Sequence, residues 1–73
     1  MGLKDEIHDY VNKTFGSYSA QKIDDFAQQI DSNINKKEFL DKCVDFLSTL
    51  LGTQKAKDEM KVFYEKYQVR MDD

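Results

Sequence analysis

Seventy-three residues with a net charge of −3, from 11 basic and 14 acidic side chains, are enough for one domain over residues 1–73 and too few for two. The mild acidity disfavours a polyanion binder, whose surface carries a basic excess, and the single cysteine, Cys43, excludes a disulfide within the chain. No run approaches the roughly 20 apolar residues that cross a bilayer, so membrane insertion is not expected.

With no proline, and glycine only at positions 2, 16 and 52, long helices are the default reading. The first helix is expected over residues 3–15. Leu3, Ile7, Tyr10, Val11 and Phe15 recur at three- and four-residue steps and share one face. Asp5 and Glu6 fall in the first turn, where the helix dipole favours acids. Gly16 can take the positive φ that ends a helix.

The second helix is expected over 20–31. Ser19 is placed to cap it, and Tyr18 and Ile23 to clasp its start as a hydrophobic staple. Its apolar stripe of Ile23, Phe26, Ala27 and Ile30 is narrow.

The third helix is expected over 36–51. Asn35 and Glu38 have the spacing of a capping box, and Ile34 with Phe39 that of a second staple. Phe39, Leu40, Cys43, Val44, Phe46, Leu47, Leu50 and Leu51 span an arc of about 160° at 3.6 residues per turn. So wide an arc suits a central helix.

The fourth helix is expected over 54–68, capped by Thr53, with a core stripe of Ala56, Met60, Phe63 and Tyr67. Residues 70–73 should fray. No internal repeat is legible. The fold class is all-α, a small bundle of four short helices with the third central. A three-helix core with a looser second helix is the alternative arrangement.

Few residues invite chemistry. Cys43 stands mid-helix between Phe39 and Leu47, a place for a small apolar side chain. His8 is the single histidine, and one His with one Cys cannot make a zinc site. Asp24, Gln28 and Asp31 share a side of the second helix with Asp25 nearby, which reads as an acidic solvated face. Ile34, Glu38 and Phe39 match the end of a calcium-binding EF-hand loop. Counting back, the ligand positions hold Ala27 and Gln29, and the glycine position holds Ser32, so no calcium site is expected. The cations Lys55, Lys57, Lys61, Lys66 and Arg70 scatter around the fourth helix among acids. Met1-Gly2 begins like a myristoylation site, but Glu6 stands where that pattern needs Ser or Thr. The start, MGLKDEIHDY, lacks the apolar stretch of a secretory signal, and with one free thiol the chain reads as cytoplasmic.

No catalytic residue, cofactor or metal ligand is therefore assigned. A small helical domain without such motifs is expected to be a protein-interaction or regulatory module: an adaptor, inhibitor, immunity-type protein or assembly subunit. A nucleic-acid-binding helical domain and an apolar small-molecule or lipid-binding bundle are the alternatives. The expected partner is another protein or a second copy. Val62 and Val69 lie seven residues apart, opposite the core stripe, flanked by Lys66 and Arg70. These four residues are the candidate partner-binding patch, apolar with a charged rim.

Overall fold

The computed structural model describes residues 2–71. Asp72 and Asp73, half of the tail expected to fray, lie outside the described residues. The chain is an all-α bundle of α1 (Leu3–Phe15), α2 (Ser17–Gln29), α3 (Lys36–Leu51) and α4 (Thr53–Lys66).

Single glycines make the two sharpest joints. Gly16 is at once the C-cap of α1 and the N-cap of α2, with φ 95° and ψ 175°. Gly52 does the same between α3 and α4, with φ 88° and ψ 155°. Extended backbone at positive φ is a region essentially confined to glycine. Each joint folds the chain back on itself. His8 and Asp24, eight residues to either side of Gly16, meet at 3.0 Å. Asp41 and Tyr64, to either side of Gly52, meet at 2.6 Å. The result is two hairpins, α1–α2 and α3–α4.

These joints correct the expected bounds of α2 and α4. Because Gly16 is the whole connection, α2 starts at Ser17, and Ser19 is a buried residue inside the helix, not its cap. Tyr18 is 75% exposed, so no staple with Ile23 forms. α2 ends at Gln29 because Ile30 turns extended, with φ −129° and ψ 122°. Asp31 then leaves the helix, and its carboxylate accepts from the backbone N–H of Asn33 and of Ile34.

α3 keeps its expected bounds, but not through the expected contacts. Asn35 makes no side-chain capping bond, and Ile34 is 78% exposed, so neither capping box nor staple is formed. α4 begins one residue early, with Thr53 as its first helical residue and Gly52 as its cap. It ends at Lys66. Gln68 adopts φ 57°, with Val69 N–H donating to Tyr64 O and Gln68 N–H to Glu65 O. This pair of bonds is a Schellman motif with glutamine in the glycine position.

The core takes Leu3, Ile7 and Val11 from α1, Ala20 and Ile23 from α2, and Ala56, Met60, Phe63 and Tyr64 from α4. α3 gives the most: Phe39, Leu40, Cys43, Val44 and Leu47. Full burial of each large side chain contributes about 1.5–3 kcal/mol. Tyr64 was missing from the expected stripe, and Tyr67 sits at its edge, half-buried at the C-cap.

The hairpins also repeat one another. Gly16 and Gly52 are 36 positions apart, and the same offset pairs Leu3 with Phe39, Ile7 with Cys43, Val11 with Leu47, and Ala20 with Ala56. All eight of those side chains are buried. The match is partial: Leu40 and Val44 are buried where their counterparts Lys4 and His8 are half-buried, and Ile23 is buried where Glu59 is exposed. The repeat was not legible because identity is kept at Gly16/Gly52 and Ala20/Ala56 but not at Leu3/Phe39, Ile7/Cys43 or Val11/Leu47, where the halves share only burial.

Candidate docking surface

The groups that invite chemistry are occupied elsewhere. Cys43 is fully buried, and desolvation pushes its thiol up to about 12, so it is protonated and inert at neutral pH. His8 Nδ1 lies against Asp24 Oδ1, and Lys4 Nζ lies 3.6 Å from the same oxygen. Among the described residues no cluster of three or more His, Cys, Asp or Glu side chains could hold a metal. Among the described residues no helix is long and apolar enough to cross a membrane.

What remains is the seams between hairpins, and there are two of related design. In the α1–α4 seam, Tyr10 packs edge-on against Phe63, with ring centroids 5.8 Å apart at 62°. In the α2–α3 seam, Phe46 packs edge-on against Phe26, also at 5.8 Å, at 72°. Tyr10 and Phe46 are counterparts at the offset of 36.

The α1–α4 seam is closed by polar bridges. The Tyr10 hydroxyl donates to Glu59 Oε1 at 2.8 Å, and burial together with that carboxylate raises the phenol to about 12. Glu6 accepts from both Lys66 Nζ and the Tyr67 hydroxyl. Those two bonds hold the Glu6 carboxyl below its usual range.

The α2–α3 seam carries different chemistry at the same positions. Lys42 stands where α1 has Glu6, Phe46 where it has Tyr10, and Leu50 where it has Thr14. Lys42 Nζ lies over the Phe26 ring at 5.5 Å. Lys22 Nζ lies over the Tyr18 ring at 5.3 Å. Tyr18, Lys22 and Phe26 are spaced one turn apart on α2, and Lys42, Phe46 and Leu50 one turn apart on α3. Phe26 and Phe46 are half-buried, Leu50 is 47% exposed and Tyr18 more so. The face carries exposed Tyr18 and Leu50 and half-buried Phe26 and Phe46, with a lysine over each of two rings.

The structure does not gather the patch expected on the fourth helix. Val62 is 58% exposed on α4. Val69 lies beyond the helix end, half-buried, and packs on the core as the apolar residue that accompanies a Schellman turn. Lys66 is committed to Glu6. Arg70 is exposed outside the helix, while Met71 turns back beside Gln54, Lys57 and Lys61. The seven-residue spacing of the two valines assumed a helix that continues to 68. Sequence reasoning missed the α2–α3 face because Phe46 and Leu50 were counted as core. The legible signal was the width of the α3 arc, more than one core can cover.

No family model, no curated protein and no solved structure matches this chain.

Proposed function

We propose that this chain is a protein-interaction module that binds rather than catalyses, and that the α2–α3 face is where its partner docks. One observation carries the reading. Two seams share a design, and the chain closes one with its own polar groups while the other presents Phe26, Phe46 and Leu50 beside lysines. Aromatic side chains at the centre of an exposed patch are the usual anchors of a protein interface. Half-exposed Leu50 beside the Phe26–Phe46 pair groups apolar surface in one place, whereas scattered exposed residues such as Val62 need no explanation.

The test is capture of partners from the organism of origin by the wild-type chain, followed by reconstitution of each complex from purified components. Leu50→Glu should abolish the complex while the fold survives, since Leu50 is half exposed. Val62→Glu, outside the face, should leave it intact. Complexes indifferent to Leu50→Glu and lost with Val62→Glu would move the docking site to α4 and overturn the reading.

A further inference from the structure

We infer that a second copy of this chain can take the place of one hairpin, by exchange of hairpins between two chains about a hinge at residues 30–35.

The three joints of the fold differ in kind. Gly16 and Gly52 turn the chain at positive φ, and each joins helices that bond to one another inside a hairpin, His8 to Asp24 and Tyr64 to Asp41. The joint between α2 and α3 runs from Ile30 to Asn35. It has neither glycine nor proline, and none of its residues stands at positive φ. Such a backbone can extend without leaving the regions open to any L-residue. Asp31 closes the turn with local bonds. Its carboxylate accepts from the N–H of Asn33 and of Ile34, and its carbonyl from the N–H of Ile34 and of Asn35. Ile34 is 78% exposed, so opening the turn gives up little of its packing.

The contacts that hold one hairpin to the other can equally be made between chains. The Tyr10–Phe63 and Phe26–Phe46 ring pairs cross from hairpin to hairpin. So do the Tyr10–Glu59 bond and the two bonds that Glu6 accepts from Lys66 and Tyr67. In an exchanged dimer each α1–α2 hairpin meets an α3–α4 hairpin of the other copy on the same terms. Exchange of an identical element is a low-cost route to a dimer for this reason. Reach is sufficient as well. Six extended residues span about 20 Å, against a folded unit of 26 × 25 × 19 Å. The opened hinge thus carries a hairpin into a neighbouring lobe. Each α2–α3 face is then built from two chains, whatever docks there.

The experiment uses two full-length chains, one carrying Glu6→Lys and the other Lys66→Glu. Alone, each sets like charges against one another in the α1–α4 seam, in the closed monomer and the exchanged homodimer alike. In a dimer exchanged between the two variants, opposite charges meet in both lobes. Each chain, and an equimolar mixture with one chain isotope-labelled, is refolded from urea at high protein concentration. Size-exclusion chromatography and native mass spectrometry read size and composition. The mixture should yield a dimer with one chain of each kind, in about threefold or greater excess over the dimer of either chain alone. A variant that does not fold alone should be rescued by the other. In the wild-type background, Asp31→Ala should raise the dimer share about twofold or more, because the bonds it removes belong to the closed hinge. Chains that stay monomeric both alone and mixed, or that stay unfolded when mixed, would overturn the exchange. Dimers that form equally in every sample, with no preference for mixed composition, would also overturn it and place association on an outer surface. A dimer share that Asp31→Ala lowers or leaves unchanged would overturn the hinge.

Discussion

Tyr10 and Phe46 stand 36 positions apart, and each meets an aromatic ring of the other hairpin edge-on at a centroid distance of 5.8 Å. They differ by one oxygen, and that oxygen closes one seam by donating to Glu59. Tyr10→Phe should therefore cost about 0.5–1.5 kcal/mol, at the lower end because the bond is exposed. Phe46→Tyr should be nearly neutral. Urea melts check both; equal losses would show that the two seams are not distinguished by that bond.

The glycine joints hold a positive-φ backbone that an L-residue adopts only under strain. A Cβ built on Gly16 or Gly52 meets nothing within 4 Å, so the cost of Gly16→Ala or Gly52→Ala is conformational and not a clash. About 1–3 kcal/mol is expected for each. A chemically synthesised chain with D-alanine at either position should keep wild-type stability, because positive φ is natural to it. The reverse change, Gln68→Gly, should stabilise by about 1 kcal/mol, since Gln68 holds φ 57° at the end of α4. A loss with D-alanine would place the strain elsewhere.

The start of α3 gives a contrast between neighbouring residues. Asn35 makes no side-chain cap bond, so Asn35→Ala should fall within about 0.5 kcal/mol of wild type. Asp31→Ala should cost more, about 0.5–2 kcal/mol, because its carboxylate satisfies two N–H groups of the turn. Leu47→Ala, at a fully buried site of α3, should cost about 2–5 kcal/mol. Denaturant midpoints at constant slope rank the three. A large loss at Asn35 would mean that the cap forms in solution.

Helix number and the phase of each core stripe were legible from apolar spacing, and α1 and α3 fall where Gly16 and Gly52 stop them. The start of α2 was not legible, because Ser19 looks like a cap and only the backbone of Gly16 shows that one residue suffices for the turn. Tyr64 was missed for a different reason. Its hydroxyl reaches Asp41 on α3, and a polar partner on another helix leaves no trace in periodicity. Lys66 and Arg70 were legible as charged but not as separated, since that depends on the helix ending at Lys66. The α2–α3 face needed the structure altogether: exposure of Leu50 follows from how far apart two helices sit, which spacing along one helix cannot report.

Burial of Cys43 makes stability depend on alkaline pH. The thiol is raised to about 12 in the fold, whereas an unfolded thiol ionises near its ordinary value of 9.0. The folded state therefore binds the proton more tightly. Stability is fully present below pH 9 and falls as pH rises toward 12, by about 1.4 kcal/mol per pH unit once the unfolded thiol is ionised. Tyr10, also raised to about 12, adds to the fall above its ordinary 10.0. Urea melts between pH 8 and 11, on the order of five points, should show the decline in wild type and a shallower one in Cys43→Ala. A bulky thiol reagent should label native Cys43 slowly and the unfolded chain quickly. Fast native labelling would refute the burial.

The central claim, that the α2–α3 face is the docking surface, is tested most directly by side-chain NMR shifts as a captured and purified partner is titrated in. The account predicts that the signals of Phe26, Phe46 and Leu50 move first and furthest, and that Tyr10, Phe63 and Val62 stay in place. Movement confined to Val62 and the α1–α4 seam, with Phe46 and Leu50 unchanged, would contradict it.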